Sequence, residues 1–314
     1  MDYSFVQGSK YLIGIPHIDQ EKALKISHRF GLSFSLAQTL LARSLDDEQQ
    51  IQDFLITSVE QNVHDPKLMK DAIKAVQRIQ QAIENKEKIL IAGDYDVDGI
   101  TSSSLMLMGL LPLGALVNFY LPNRVKDGYG LSSKIVQKAY DNGYKVIITV
   151  DNGITAFESA VLAKKLGIDL IITDHHRPHD HVPDAFAIVN PHQIDCAYPF
   201  KYFAGVGVAF KILSLLYEQQ GMQIPGKVIE LLLFGTVADV VPLTGENRYW
   251  VRYGLGYVNQ TESYSLTVLK QNSKFSKPEL FSTDIGFSIT PQINALGRLD
   301  DAREGVKFLI GNNA

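Results

Sequence analysis

Two rhythms of hydrophobic positions alternate along the chain. In SFSLAQTLLARSL and PKLMKDAIKAVQRIQQAIENK, apolar residues recur three and four positions apart, the period of a helix with one buried face. Pro66 stands where the first turn of a helix tolerates a residue without an N–H. Residues 1–84 are therefore expected to be an N-terminal helical region without a strong strand. From residue 88 the pattern changes to short β-branched runs, KILIAG, VNFYLP, KVIITV, DLIIT and AIVN, divided by amphipathic segments such as SSKIVQKAYDNG and ITAFESAVLAKKLG. Apolar strands interleaved with helices predict an α/β fold, a parallel sheet with helices on both faces, whose ligands lie beyond the carboxyl ends of the strands. Helical periodicity returns over 203–270, most clearly in GVAFKILSLLYEQQG and GKVIELLLFGTVADV, and a polar loop then leads into a last helix.

Composition narrows this picture only slightly. With 314 residues, 46% hydrophobic and 20% charged, the chain can bury a substantial core. A net charge of −4 argues against a strongly basic nucleic-acid surface, although aspartates that recruit divalent cations would mask part of it. The single cysteine, Cys196, excludes an intrachain disulfide and a cysteine-rich zinc module, and it fits the reducing cytoplasm. The opening MDYSFVQGSKYLIGIP does not read as an export signal, and the longest apolar stretch, LMLMGLLPLGALV, is too short to span a bilayer and carries Pro112. Neither export nor membrane insertion is expected.

The chemistry concentrates at predicted strand ends. ILIAGDYDVDGITSSSL runs a strand into Asp94, Asp96 and Asp98 at every second position. Carboxylates this close repel one another unless a cation holds them together. A calcium-binding helix-loop-helix also opens Asp-x-Asp-x-Asp-Gly, but it needs a glutamate at its twelfth position, where Leu105 stands here, and a helix in front. A plain solvated acidic turn is the other reading. Gly99 followed by ITSSSLMLMGL instead suggests a helix that starts at the site and offers free N–H groups to a phosphate. VIITVDNGIT places Asp151 at the next strand end, and LIITDHHRP places Asp174, His175 and His176 after the one following. Asp239 closes the apolar run of TVADVVPL. Taken singly, these would be a helix cap, an exposed histidine pair and a helix-end residue, but adjacent parallel strands would bring them to one sheet edge. FAGVGVAF is no dinucleotide fingerprint, since no strand leads into Gly205 and Gly207, and it reads as close backbone packing near the site. His179, His181 and His192 lack the cysteines or helical spacing of a zinc site.

The ordered motifs GDYDVDG, VDNG, TDHH and ADVVPL resemble those of the DHH phosphoesterase superfamily. DPKLMKDAIKAVQRIQQAI, LPNRVKDGYGLS, AIVNPHQIDCAYPFKYFAGVGVAFKI and TPQINALGR resemble its RecJ-like branch of single-strand-specific exonucleases, so the likeness runs over residues 30–310. This resemblance implies two manganese or magnesium ions held by Asp96, Asp98, Asp151, His175 and Asp239, with Asp151 as the bridge. It also implies that Asp94 and Asp174 orient the ligands and that His176 faces the scissile phosphate. Oxygen donors with one imidazole suit manganese. Arg124 and Arg298 resemble arginines aimed at DNA phosphates, the alternative for each being a loop salt bridge. Where a pyrophosphatase-like branch has a metal-binding histidine, this chain has Ala92, which implies that one ion is held more weakly.

The function so implied is 5′-to-3′ exonucleolytic hydrolysis of single-stranded DNA in recombination and repair, alongside replication or repair proteins. Two alternatives stand beside it: a phosphodiesterase of oligoribonucleotides or cyclic dinucleotides, and a catalytically silent replication scaffold. A scaffold has no need to keep repelling carboxylates together. The resemblance makes residues 85–314 the DHH domain. It also leads one to expect a second, glycine-rich substrate-binding domain and an oligonucleotide-binding barrel, neither of which is found in these 314 residues.

Overall fold

The computed structural model describes residues 3–123, 128, 130–299 and 301–311. The backbone sorts into two units, Met1–Asn62 and Val63–Ala314. In the first, β1 (Tyr3–Gln7) and β2 (Leu12–Pro16) form an antiparallel hairpin, followed by α1 (Gln20–Phe30), α2 (Phe34–Ala42), α3 (Glu48–Leu55) and the short α4 (Val59–Asn62). Asp19, Ser33 and Asp47 cap the three longer helices by accepting otherwise unpaired N–H groups. Ala23, Ile26, Ala37, Leu40, Leu41 and Ile51 form the unit's own small core. The hairpin corrects the expectation of a region without strands. Tyr3 and Phe5 lie on one face of the ribbon and Val6, Ile13 and Ile15 on the other, so no polar-apolar alternation marks it as a strand pair.

The second unit begins earlier than residue 85. After α5 (Ala72–Glu84) come β3 (Lys88–Ala92), α6 (Val97–Leu110), β4 (Leu116–Tyr120), α7 (Ser133–Asp141), β5 (Tyr144–Val150), α8 (Phe157–Leu166), β6 (Asp169–Thr173) and β7 (Ala187–Val189). Then follow α9 (Gly205–Gln220), α10 (Gly226–Ala238), α11 (Gly245–Gln260), α12 (Tyr264–Asn272), a single turn α13 (Ser282–Asp284), a π-helical turn (Ile285–Ile289), α14 (Thr290–Leu299) and α15 (Ala302–Ile310). Helix α5 was expected to belong to the N-terminal region. It instead buries Ala72, Ala75, Val76, Ile79 and Ala82 in one core with Ile89 and Ile91 of β3, and the division between units falls between Asn62 and Val63.

All five strands expected after residue 88 form, and they make one parallel sheet in the order β4-β3-β5-β6-β7. Alternate side chains divide between its faces. Ile89, Ile91, Val146, Ile148, Val150, Ile171 and Val189 meet the core shared with α5, α6, α9 and α10. Leu90, Ala92, Ile147, Leu170, Ile172 and Ile188 meet α7 and α8. Burial on both sides is why these strands read as continuous apolar runs. From β3 the chain goes to one side for β4 and then crosses to the other for β5, so the strand order reverses between β3 and β5. Carboxyl ends flanking such a reversal open a crevice.

Helix α9 is anchored by charge as well as by apolar packing. Lys211, 2% exposed, donates to Glu246 of α11, 0% exposed, at 2.7 Å and to the His64 carbonyl at 2.7 Å. The Tyr198 hydroxyl and the Trp250 indole N–H also donate to Glu246, at 2.7 and 3.2 Å. Removing one member of such a buried pair strands the other charge, whereas removing both does not. Lys211→Met is expected to lower unfolding stability by about 3 to 5 kcal/mol and Lys211→Met/Glu246→Leu by clearly less, as read from urea denaturation midpoints.

Candidate metal centre

The first motif leaves β3 as a turn and enters α6 within four residues. Asp96 is the N-cap of α6 and accepts the Gly99 N–H at 3.0 Å. Gly99 has to be glycine, because a Cβ there would lie 2.4 Å from the Asp94 carbonyl oxygen. Asp98, in the first turn, accepts the N–H groups of Gly205 at 2.6 Å and Val206 at 2.8 Å, so this buried carboxylate also caps the N-terminus of α9. Gly205 touches the second motif as well, since a Cβ on it would stand 2.5 Å from the Asp151 Cβ. This is the close backbone approach expected of FAGVGVAF.

Asp151 follows β5 with φ 61°, a left-handed conformation uncommon outside glycine, and its N–H is tied to the Thr173 carbonyl at 3.1 Å. The Asn152 amide next to it donates to the Ala92 and Val150 carbonyls, both at 2.9 Å, and so joins the ends of β3 and β5. After β6, buried Asp174 accepts from the N–H groups of Ile154 (2.9 Å), His175 (2.7 Å) and His176 (3.1 Å), and it bonds His176 Nδ1 at 2.7 Å. His175 Nε2 then lies 3.2 Å from Asp151, 3.7 Å from Asp239 and 3.9 Å from Asp98. Asp239 ends α10 and is followed by Val240 with φ 58°, a strained conformation for a β-branched residue.

Three sets of donor atoms come within 4.8 Å of one another: Asp94, Asp96 and Asp151; Asp151, His175 and His176; Asp98, His175 and Asp239. Asp151 belongs to two sets, and so does His175. Burial, followed by the neighbouring Asp98 and Asp96, pushes the Asp151 carboxyl well above the usual range. Burial likewise raises Asp98, pushes Asp94 to about 7 and pushes Asp239 to about 8. Asp94 Oδ1 and Asp239 Oδ2 are buried without a hydrogen-bond donor among the described residues. The hydrogen bond that the His176 ring donates to Asp174 raises the His176 pKa. Crowded, undersolvated oxygens beside imidazole nitrogens are what a hard or borderline divalent cation would satisfy.

The structure thus gathers Asp94, Asp96, Asp98, Asp151, Asp174, His175, His176 and Asp239 at one sheet edge, with Asp94 and His176 also within ligand distance. Ala92 lies in the core against the α7 and α8 face. Arg298 is exposed on α14, and the preceding Gly297 sits so close to the first motif that a Cβ would collide with the Tyr95 carbonyl at 1.9 Å. Arg124 lies outside the described residues. His179 and His181 remain exposed, apart from the cluster. Sequence reasoning missed Asn152, the amide pair of Gly205 and Val206, and Asn190, whose side chain donates to the His176 carbonyl at 2.8 Å. The only signals were an asparagine after each apolar run, in VDNG and IVNP, and glycines opening a helix.

Residues 88–236 match the DHH family, N-terminal domain. That segment is a DHH-family domain. The single-stranded-DNA-specific exonuclease RecJ of Bacillus subtilis (strain 168) is 40% identical over 98% of this chain and 38% of its own length. RecJ of Escherichia coli (strain K12) is 38% identical over 76% of this chain and 44% of its own length. The chain thus spans less than half of these curated relatives. The crystal structure of exonuclease RecJ bound to manganese is similar with a TM-score of 0.72, at 31% identity over 78% of this chain and 62% of that one. That of RecJ in complex with Mn2+ from Thermus thermophilus gives 0.76 at 26% identity, over 94% and 42%.

The raised carboxyls dictate a pH dependence for the metal-free protein. Between the ordinary carboxyl value of 3.8 and the folded values of about 7 for Asp94 and about 8 for Asp239, the folded state binds more protons than the unfolded one. Stability therefore falls as pH rises through that window, by an amount on the order of 4 to 6 kcal/mol for one such group. In chelator, the melting temperature is expected to be higher at pH 5 than at pH 8, and manganese is expected to restore most of the loss at pH 8. Calorimetry at both values, with and without the ion, checks this.

Proposed function

We propose that the chain is the core of a two-metal exonuclease that hydrolyses single-stranded DNA from its 5′ end. The observation that carries this reading is Asp151, whose carboxylate lies between one group of acidic donors and one that includes both histidines. In this reading Asp94, Asp96 and Asp151 face one ion, Asp98, Asp151, His175 and Asp239 face the other, and manganese or magnesium fills both positions. The named activity of the RecJ relatives on single-stranded DNA, and the manganese in the RecJ crystal structures, support the assignment. Bound there, the ions supply charge to neutralise a phosphate and Lewis acidity to activate water.

The protein's own groups do the rest. Asp151 is tied through its N–H to the end of β6, and the absence of a side chain at Gly205 lets the start of α9 close up against it. Asp174 occupies His176 Nδ1, which leaves Nε2 of that half-exposed ring as the proton donor toward a substrate oxygen. Arg298, and Arg124 outside the described residues, would grip phosphates through their planar guanidinium groups. Among the described residues no helix is long and apolar enough to cross a membrane. Work on DNA in the cytoplasm, in contact with replication or repair proteins, completes the proposal.

The test uses single strands labelled at either end, with manganese, in the wild type and in Asp151→Ala. The wild type is expected to release label first from the 5′ end. Asp151→Ala is expected to lose bound manganese and more than the about 100-fold in rate that loss of an outer partner of a metal ligand costs. Hydrolysis confined to oligoribonucleotides or cyclic dinucleotides would move the assignment to a small-nucleotide phosphodiesterase. An intact Asp151→Ala that keeps most of its activity would remove the two-metal reading.

A further inference from the structure

A group of positive charges borders the acidic cluster on its β7 side. Arg177 extends the loop after β6, one residue beyond His176, and is exposed. His192 stands on the loop after β7 and is half-buried. Asn190 fastens these two loops together, its amide donating to the His176 carbonyl at 2.8 Å and its oxygen accepting the His192 N–H at 2.8 Å. Lys201, half-buried on the approach to α9, donates to the Cys196 carbonyl at 2.8 Å. Burial first, and then the positive charge of Arg177 with that of Lys201, hold the His192 pKa below its ordinary value. Among the described residues no salt bridge engages Arg177 or Lys201, and Asp195, which follows His192 by three residues, is taken by Lys70 at 2.7 Å.

Cations that make no salt bridge of their own can take an anion that approaches the acidic cluster from the β7 side. The anion offered by the proposed substrate is another phosphodiester of the same strand. At the acidic cluster the charge of the scissile phosphate is met by bound cations, but the next phosphate along the strand lies beyond those ions and needs positive groups from the protein itself. We infer that Arg177, His192 and Lys201 form a subsite for the phosphate adjacent to the one hydrolysed, with the strand running across the carboxyl ends of β6 and β7. This inference rests on the single-strand reading given above. Arg177 and Lys201 supply charge, and the ring of His192, whose backbone N–H is bound by Asn190, supplies an N–H donor.

The experiment measures binding of an oligothymidylate of about 12 nucleotides, a length within the usual single-strand site sizes, by fluorescence anisotropy. Calcium replaces manganese, and the salt concentration is varied. Arg177→Gln and Lys201→Gln are each expected to weaken binding about tenfold, the scale of one charge-assisted hydrogen bond, and to make the dependence of log affinity on log salt shallower by about 0.7, the value for one phosphate contact on a single strand. Lys138→Gln removes the same charge from the last turn of α7 and is the control, expected to leave both quantities unchanged. Melting curves and bound manganese are recorded for each variant, so that loss of fold or of metal cannot pass for loss of the subsite. If both test variants bind within twofold of wild type with the same salt slope, or if Lys138→Gln matches them, the subsite is overturned while the strand reading stands. If the wild type itself binds no single-stranded DNA, the strand reading falls and the subsite falls with it.

Discussion

Mutual repulsion of buried carboxylates is the constraint around which the second unit is arranged. Asp94, Asp98 and Asp151 are each at most 3% exposed and converge on one another, and burial pushes each of them away from its charged form. A fold accepts such a cluster only if its backbone is held firmly enough that the groups cannot turn outward to water. Parallel strands buried on both faces provide that rigidity, and the strand-order reversal between β3 and β5 provides the gap into which the carboxylates project.

Part of the repulsion is offset by backbone dipoles. Asp96 sits on the N-terminus of α6 and Asp98 on that of α9, so two helices direct partial positive charge at the cluster. The other carboxylates are handled differently. Asp174 accepts four hydrogen bonds and organises the histidine loop, whereas Asp94 and Asp239 each keep a buried oxygen without a donor among the described residues. The division between satisfied and unsatisfied oxygens separates the groups that shape the site from those left with capacity to bind.

Much of this was legible in the chain. The five strands of the sheet could be read because burial on both faces makes them uniformly apolar, and the acidic and histidine motifs because unusual residues recur at strand ends. The hairpin β1–β2 escaped because apolar residues on both faces of a short ribbon leave no alternation to detect. Helix α5 was placed in the wrong unit because periodicity reveals that a helix has a buried face but not which core covers it. The clamp on Asp98 was hidden for a different reason: Gly205 and Val206 act through main-chain N–H groups, and every residue except proline has one. The role of Asn190 was equally hidden, since one side-chain hydrogen bond to a carbonyl fourteen residues away leaves no local pattern.

Asp98 is at once a charge in the acidic cluster and the cap of α9, and α9 is fixed at Lys211 to Glu246 of α11. A single carboxylate thus belongs to both the polar edge of the sheet and the helical layer behind it. Thermodynamic reciprocity then applies between the two: whatever seats α9 more firmly raises the affinity of Asp98 for a cation by some factor, and the cation seats α9 more firmly by that same factor. Occupancy at the sheet edge and order in α9 to α11 are two readings of one equilibrium.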